Sequence, residues 1–266
     1  MTRAPADLDR AEALIQARGS LVGRPLVRLA TTTSTNDEAH RAARAGAPHG
    51  AAWVAEQQTA GRGRRGRVWV SPPGEGLLFS VLLRMGCAPA KLPPVALLAG
   101  LAVRDAVARA APGAPVSIKW PNDVLMHDRK LAGVLVEAST SGSRVEAVVV
   151  GIGINVHTRS FPTDIASRAT SVALAAAAGT PPDRAELLAD VLASLDRDLH
   201  VVVGHGLGLL RDRLEAADAL RGRRVKSESG AEGIACGIDD EGRLVVRDDA
   251  GVLDRWMAGE VNLVRV

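Results

Sequence analysis

Residues 116–156 read VSIKWPNDVLMHDRKLAGVLVEASTSGSRVEAVVVGIGINV, and this stretch decides the fold. It holds three β-type runs, Val116 to Trp120, Leu131 to Ala138 and Val145 to Val156, each rich in valine, isoleucine and leucine. Between them lie Met126-His127-Asp128-Arg129 and Ser141-Gly142-Ser143, short connections that suit hairpins. The spacing therefore predicts a core sheet that is mostly antiparallel.

Upstream, Leu8 to Ala17 carries Leu8, Ala11, Leu14 and Ile15 on one helical face. A strand, Leu26 to Ala30, is followed by Ser34 and Asp37 at capping-box spacing, which predicts a helix to Arg44. Ala51 to Gln57, Val68-Trp69-Val70 and Leu77 to Leu83 read as further strands, the last two separated by the turn Pro72-Pro73-Gly74-Glu75-Gly76. Pro94 to Ala110 has helical character. Downstream, Thr180-Pro181 reads as a helix start, with a capping threonine and proline at the first helical position. That helix is expected to reach Leu199, and another to span Gly208 to Ala217.

From Ala219 the texture changes. Short β-runs at 224–226, 233–238, 244–247 and 252–256 are split by the turns Asp239-Asp240-Glu241-Gly242 and Asp248-Asp249-Ala250-Gly251. Such tight spacing predicts a small barrel. The chain is thus divided into an α+β domain over residues 1–218 and an all-β domain over 219–266.

Composition narrows the function. Aromatic residues are only 2% of the chain, with no tyrosine, so base stacking on aromatic platforms is a poor reading. There are 33 basic and 30 acidic residues, and four of the arginines fall in Gly61-Arg62-Gly63-Arg64-Arg65-Gly66-Arg67. Without those four, acidic residues would outnumber basic ones. The excess charge sits in one loop, whereas a nucleic-acid footprint needs a broad basic face. Cys87 and Cys236 match no metal-ligand spacing and read as reduced thiols of a cytoplasmic protein. The first twenty residues carry Asp7, Asp9, Arg10 and Glu12 in place of a signal peptide's apolar run. No stretch reaches the ~18 uncharged apolar residues of a membrane span.

Guanidinium stays charged at any biological pH, so four in one loop repel unless an anion gathers them. Three readings compete: a solvated loop, an RNA-binding patch, and an active-site loop that closes on phosphate or carboxylate. Ser34-Thr35-Asn36 caps a helix or walls a polar pocket. Lys119-Trp120-Pro121-Asn122-Asp123 is a turn between two β-runs that exposes an aspartate at the sheet's end. Lys130 precedes Leu131-Ala132-Gly133, a strand start that a ligand could approach closely. Gly151-Ile152-Gly153-Ile154-Asn155 lacks the third glycine and the opening helix of a dinucleotide fingerprint, so its glycines suggest close contact with a ligand or another backbone. The six histidines form no ligand-spaced cluster, and no serine or cysteine pairs with a histidine. Carboxylate, amide, lysine and arginine loop together suit phosphoryl chemistry.

Taken in order, these segments resemble the biotin protein ligases. The likeness is carried by Ser34-Thr35-Asn36, the loop from Gln58 to Arg67, Trp69, residues 119–123, 129–133 and 151–155, and Trp256-Met257-Ala258-Gly259-Glu260-Val261. It implies a class II synthetase-like, mixed or mostly antiparallel sheet with flanking helices, followed by a small SH3-like β-barrel. The implied reaction has two steps: biotin's carboxylate attacks the α-phosphate of ATP, then a lysine of a biotin carboxyl carrier domain takes the biotinyl group. Lipoate or octanoate ligases and transferases of the same core fold are the alternative. By resemblance, Lys130, Arg62 and Asp123 would be catalytic. Ser34, Thr35, Asn36, Gln58, Gly61, Arg62, Gly63, Arg64, Lys130, Gly133 and Gly151 would bind biotin. Arg64, Arg65, Arg67, Trp69, Lys119, Asn122 and Asn155 would meet ATP or the adenylate, and Asp123 would hold magnesium. Only 33 residues precede Ser34, too few for a winged helix, so the expectation is a monofunctional ligase that binds no nucleic acid and no membrane. The resemblance allows a monomer or a homodimer, and acetyl-CoA carboxylase or a related carboxylase would supply the carrier.

Overall fold

The computed structural model describes residues 6–86, 88–89, 92–142, 144–175, 182–257 and 259–264. Cys87, Ser143, Thr180, Pro181 and Ala258, which the sequence reading used, lie outside the described residues.

The strands form two sheets. The larger has seven: β1 (Leu26–Thr32), β2 (Ala52–Gln58), β3 (Gly76–Leu83), β4 (Val116–Lys119), β5 (Asp123–Met126), β6 (Arg129–Ser141) and β7 (Arg144–Asn155). Their spatial order is β1-β2-β3-β7-β6-β5-β4. Only β1 and β2 run parallel, connected through the helix at Thr35–Arg44, and every other pair is antiparallel. The expected mixed, mostly antiparallel sheet is therefore present.

Its centre follows from composition. β3 is Gly-Leu-Leu-Phe-Ser-Val-Leu-Leu, with every residue buried, as a strand covered on both faces must be. Leu77, Phe79, Val81 and Leu83 join the main core, together with Val148, Val150, Ile152 and Ile154 of β7. That face is covered by α1 (Ala11–Ala17), by α3 (Pro93–Ala110) and by α5 (Arg184–His205). The opposite face packs on α2 (Thr35–Arg44) through a smaller cluster of Ala39, Trp53, Leu82, Ala147 and Val149. A short helix, α4 (Val172–Ala175), and α6 (Arg211–Ala217) complete the set. A buried ion set ties the N-terminal turn to this body: Arg184, 1% exposed, reaches Asp7 and Glu56, each at 2.7 Å.

The second sheet holds β8 (Arg224–Ser227), β9 (Glu232–Ile238), β10 (Leu244–Arg247), β11 (Leu253–Trp256) and β12 (Val261–Leu263). All its pairs are antiparallel, in the order β11-β10-β9-β8-β12, so among the described residues the ladder has β11 and β12 as edges. Trp120, 1% exposed, joins the two sheets: its indole Nε1 donates to the Gly242 carbonyl at 2.9 Å.

Several local expectations are corrected. Residues 116–156 hold four strands, because Asp123, expected in a turn, opens β5. The Met126–Arg129 connection then joins β5 to β6, and His127 (φ 51°) and Asp128 (φ 58°) supply the two left-handed residues of a tight hairpin. Val68-Trp69-Val70 is not a strand; Val68 makes only an isolated bridge to Arg62. Ser34 occupies the N-cap of α2 without a side-chain capping bond, so the capping box does not form. The long helix α5 is capped by Asp183, which accepts from Ala185 N and Glu186 N, and it runs on to His205.

Candidate active site

The period of two along a strand puts alternate residues on opposite faces. On β7, the residues between the core valines and isoleucines include Gly151 and Gly153; on β6, Gly133 pairs with Gly153. These glycines hollow the α2-side face. A Cβ on Gly151 would collide with Asn36 Oδ1, and one on Gly153 would lie 2.6 Å from the Trp69 ring. The close contact expected from the glycine pair is made by side chains of the site itself. Trp69 lies across this hollow, with Lys130 Nζ 5.8 Å from the centre of its ring. Its indole Nε1 is buried with no hydrogen-bond partner among the described residues, although a buried donor normally finds one.

At one end, five polar side chains form a chain of hydrogen bonds. Gln58 Oε1 accepts from Thr35 N at 2.7 Å and lies 3.1 Å from Thr35 Oγ1. Ser80 Oγ lies 2.7 Å from Thr35 Oγ1 and 2.6 Å from Asn36 Oδ1. Asn36 Nδ2 in turn donates to Glu137 Oε2 at 2.6 Å. Ser34, Thr35 and Asn36 are each 3% exposed, so these groups form an inner wall rather than a surface cap.

At the other end, charge gathers. Lys130 Nζ is 2.7 Å from Asp123 Oδ1 across the β5–β6 hairpin. The arginine loop is a folded hairpin: Trp69 N donates to Gly61 O at 2.9 Å, Gly63 N to Arg67 O at 2.7 Å, and a single helical turn spans Arg64–Gly66. Arg65 (φ 58°) and Gly66 (φ 73°) make the reversal, the conformation that favours glycine. Carboxylates remote in sequence gather its arginines. Arg62 holds Asp37 at 2.7 Å and Glu137 at 3.2 Å, Arg65 pairs with Glu228, and Arg67 pairs with Glu260. The mutual repulsion that the sequence left uncompensated is thus offset by groups brought in by folding.

Arg64 is the exception. Its Nη1 donates to Asn122 Oδ1 at 3.2 Å, and among the described residues it makes no ion pair. Burial pulls its pKa down, and the Arg65 charge adds to that. Burial likewise lowers Lys119, against the opposing charge of Asp123. Arg62 moves the other way: burial alone would lower it, but its hydrogen bond to Asp37 and the charges of Glu137 and Asp37 raise it. Two desolvated cations beside a pocket lined by Arg62, Arg64, Arg67 and Lys130 make a receptor for anions.

Most residues singled out in the sequence meet in this one pocket: the Ser34–Asn36 wall, Gln58, Gly63, Trp69, Asn122, Asp123, Gly133 and Gly151 join the cations just named. Gly61, Arg65, Lys119 and Asn155 stand outside its lining. Gly61 is where the loop's arms touch, its missing Cβ leaving room for the Trp69 carbonyl. Asn155, 6% exposed, donates to the Thr170 carbonyl at 3.0 Å and ties the end of β7 to the chain beyond it. The sequence reading missed Ser80, Glu137, Glu228 and Glu260. A serine inside the apolar run of β3 and a glutamate inside that of β6 were available signals; Glu260 stood in the C-terminal segment that carries the likeness but was given no role there, and Glu228 carried no signal.

Residues 28–155 match the biotin/lipoate A/B protein ligase family, and residues 222–264 match the biotin protein ligase C-terminal domain. The chain is 39% identical to a biotin–[acetyl-CoA-carboxylase] ligase of Paracoccus denitrificans over 232 residues, covering 84% of this chain and 94% of that protein. It is 35% identical to the bifunctional ligase/repressor BirA of Bacillus subtilis, covering 95% of this chain and 78% of that one. Among solved structures, the biotin protein ligase from Aquifex aeolicus in complex with biotin and ATP superposes with a TM-score of 0.77 at 32% identity, covering 91% of this chain and all of the other. These likenesses span both sheets: the chain belongs to the biotin protein ligases of the biotin/lipoate A/B protein ligase family.

Proposed function

We propose that this protein activates biotin with ATP to biotinyl-5′-AMP at the hollowed face of the large sheet and transfers the biotinyl group to a lysine of a biotin carboxyl carrier domain. The single observation that carries the site assignment is the convergence of a neutral polar wall and an arginine–lysine cluster on one pocket. A ureido ring needs the first, and a carboxylate meeting a phosphate needs the second.

The chemistry must press two anions together. Two unit charges 4 Å apart repel by about 4 kcal/mol at the effective dielectric of a protein site. Lys130 and Arg62 are the groups placed to offset this, at the cost of releasing Asp123 and the Asp37–Glu137 pair. Arg64 needs no such release and is the cation best prepared to receive phosphate. Gln58, Thr35, Ser34 and Asn36 would hold the ureido ring, with Gly133 and Gly151 leaving space for it. Trp69 would pack near the adenine and Asn122 would hold Arg64 in register. Gly63 would let the loop approach the ligand, with Arg65 and Arg67 anchoring it to the C-terminal sheet. Lys119 and Asn155 would act on ATP from behind the lining.

Magnesium fits as a companion of the triphosphate. Among the described residues no three histidine, cysteine or acidic side chains converge to cage an ion. Magnesium commonly uses one or two carboxylates together with substrate phosphates, and Asp123 is the carboxylate available for that. When bound, the ion would neutralise phosphate charge. We place the domain boundary at 218/219 and the protein in the cytoplasm; no helix among the described residues is long and apolar enough to cross a membrane.

Biotin-dependent exchange of pyrophosphate into ATP tests the first step. Exchange that requires biotin and is not supported by lipoate is expected. Exchange with lipoate and none with biotin would reverse the assignment.

A further inference from the structure

Glu137 was given no part in meeting the substrates above, yet it touches residues that were. Its Oε2 accepts from Asn36 Nδ2 at 2.6 Å and from Arg62 Nη2 at 3.2 Å, and His40 Nε2 lies 3.5 Å away. A carboxylate can only accept, whereas an amide can turn over and exchange donor for acceptor. Asn36 is therefore held with its amide nitrogen toward Glu137 and its carbonyl oxygen toward Ser80. The Ser80 hydroxyl lies 2.6 Å from that oxygen and donates its one proton there. Ser80, having given its one proton to Asn36, accepts from Thr35 Oγ1 at 2.7 Å, and Gln58 Oε1 accepts from the backbone Thr35 N at 2.7 Å. That backbone donor holds Gln58 with its Oε1 toward Thr35 and leaves its Nε2 as a donor.

We propose that Glu137 is a positioning residue that sets the donor and acceptor polarity of Asn36, Ser80 and the Thr35 hydroxyl in the wall that would hold a cyclic urea, and that it couples this wall to the arginine loop through Arg62. The inference rests on the proposed biotin site. Its two contacts point in the same direction: losing the carboxylate frees Asn36 to turn and leaves Arg62 with Asp37 alone.

The test is a cycle on the full chain: wild type, Glu137→Gln, Asn36→Asp and the double variant, each followed by biotin-dependent pyrophosphate exchange and thermal unfolding. Each single change is expected to raise the KM for biotin about tenfold, the scale of one spoiled buried hydrogen bond, while the KM for ATP stays within about twofold. Asn36→Asp alone sets two carboxylates face to face. In the double variant, the carboxylate now at position 36 accepts both from the amide now at position 137 and from Ser80, the wall regains its polarity, and most of the lost biotin affinity returns. A biotin KM within about twofold of wild type in Glu137→Gln, or a double variant as weak as the two single losses multiplied, would overturn the inference. So would a lowered melting temperature with equal losses toward both substrates, which would make Glu137 a stability residue. Absence of exchange in the wild type would instead strike at the biotin reading itself.

Discussion

The two faces of the seven-stranded sheet are built from the same strands and could hardly differ more. Toward α3 and α5, β3 and β7 present Leu77, Phe79, Val81, Val148, Val150, Ile152 and Ile154, all in the main core. Toward α2, the alternate positions include Ser80, Gly151 and Gly153, where side chains are small and the neighbours are polar or aromatic. One face stabilises the fold through buried area; the other gives that area up to make a pocket. Stability and function are thus interleaved residue by residue, and substitutions one position apart should separate them.

The largest effect is expected at the charged end of the pocket. Lys130→Ala should slow adenylate formation on the order of a thousandfold, the scale of losing a positioned electrostatic group, while the melting temperature holds. Near-normal pyrophosphate exchange in that variant would show that the lysine is not the group that neutralises the approaching anions.

The sharpest test of the two faces uses neighbours on β3. Phe79→Ala on the core face should destabilise the protein by about 3–5 kcal/mol, read by denaturant unfolding, with substrate KM values unchanged in the folded fraction. Ser80→Ala should do the reverse, raising the biotin KM about tenfold with a small change in stability. If both variants lost stability alike, the division of labour between faces would not hold.

Smaller effects are expected where the loop meets the pocket. Arg62→Ala removes the link from the loop to Asp37 and Glu137. It should speed release of biotinyl-5′-AMP about tenfold, measured by quench-flow or by biotinylation of bystander proteins. Unchanged dissociation would refute the clamp. The smallest concerns Lys119, whose pKa burial lowers against the opposing charge of Asp123. A depressed lysine loses its charge below the ordinary lysine range near pH ~10, so the ATP KM should rise a few-fold on the alkaline side. Lys119→Arg keeps the charge and should flatten that limb; an identical pH profile in the variant would remove Lys119 from ATP binding.

The same contrast explains what could be read in advance. Hydrophobic runs and hairpin turns in 116–156 were enough for a mostly antiparallel sheet, because period and turn chemistry are local properties. Asp123 misled, because a four-residue strand beginning right after Pro121-Asn122 carries the residues of a turn. Val68-Trp69-Val70 misled in the other direction: its β-favouring residues border a folded loop, where backbone pairing stops at single bridges. The pocket's glycines, its Ser34–Asn36 wall and its cations were legible through resemblance. The carboxylates that hold the arginine loop were not. Glu228 and Glu260 lie far along the chain from their arginines, in the C-terminal sheet region, and ion pairing at that separation leaves no periodic trace in a sequence. Nor does sequence show that the loop is a hairpin with its charges already gathered.

The most direct test of the account is the mass of an apo biotin carboxyl carrier domain after incubation with this protein, biotin and Mg-ATP. The account predicts a gain of one biotinyl group on a single lysine, requiring both biotin and ATP and abolished by Lys130→Ala. A carrier left unmodified by the wild-type protein, or modified equally by the lysine variant, would contradict it.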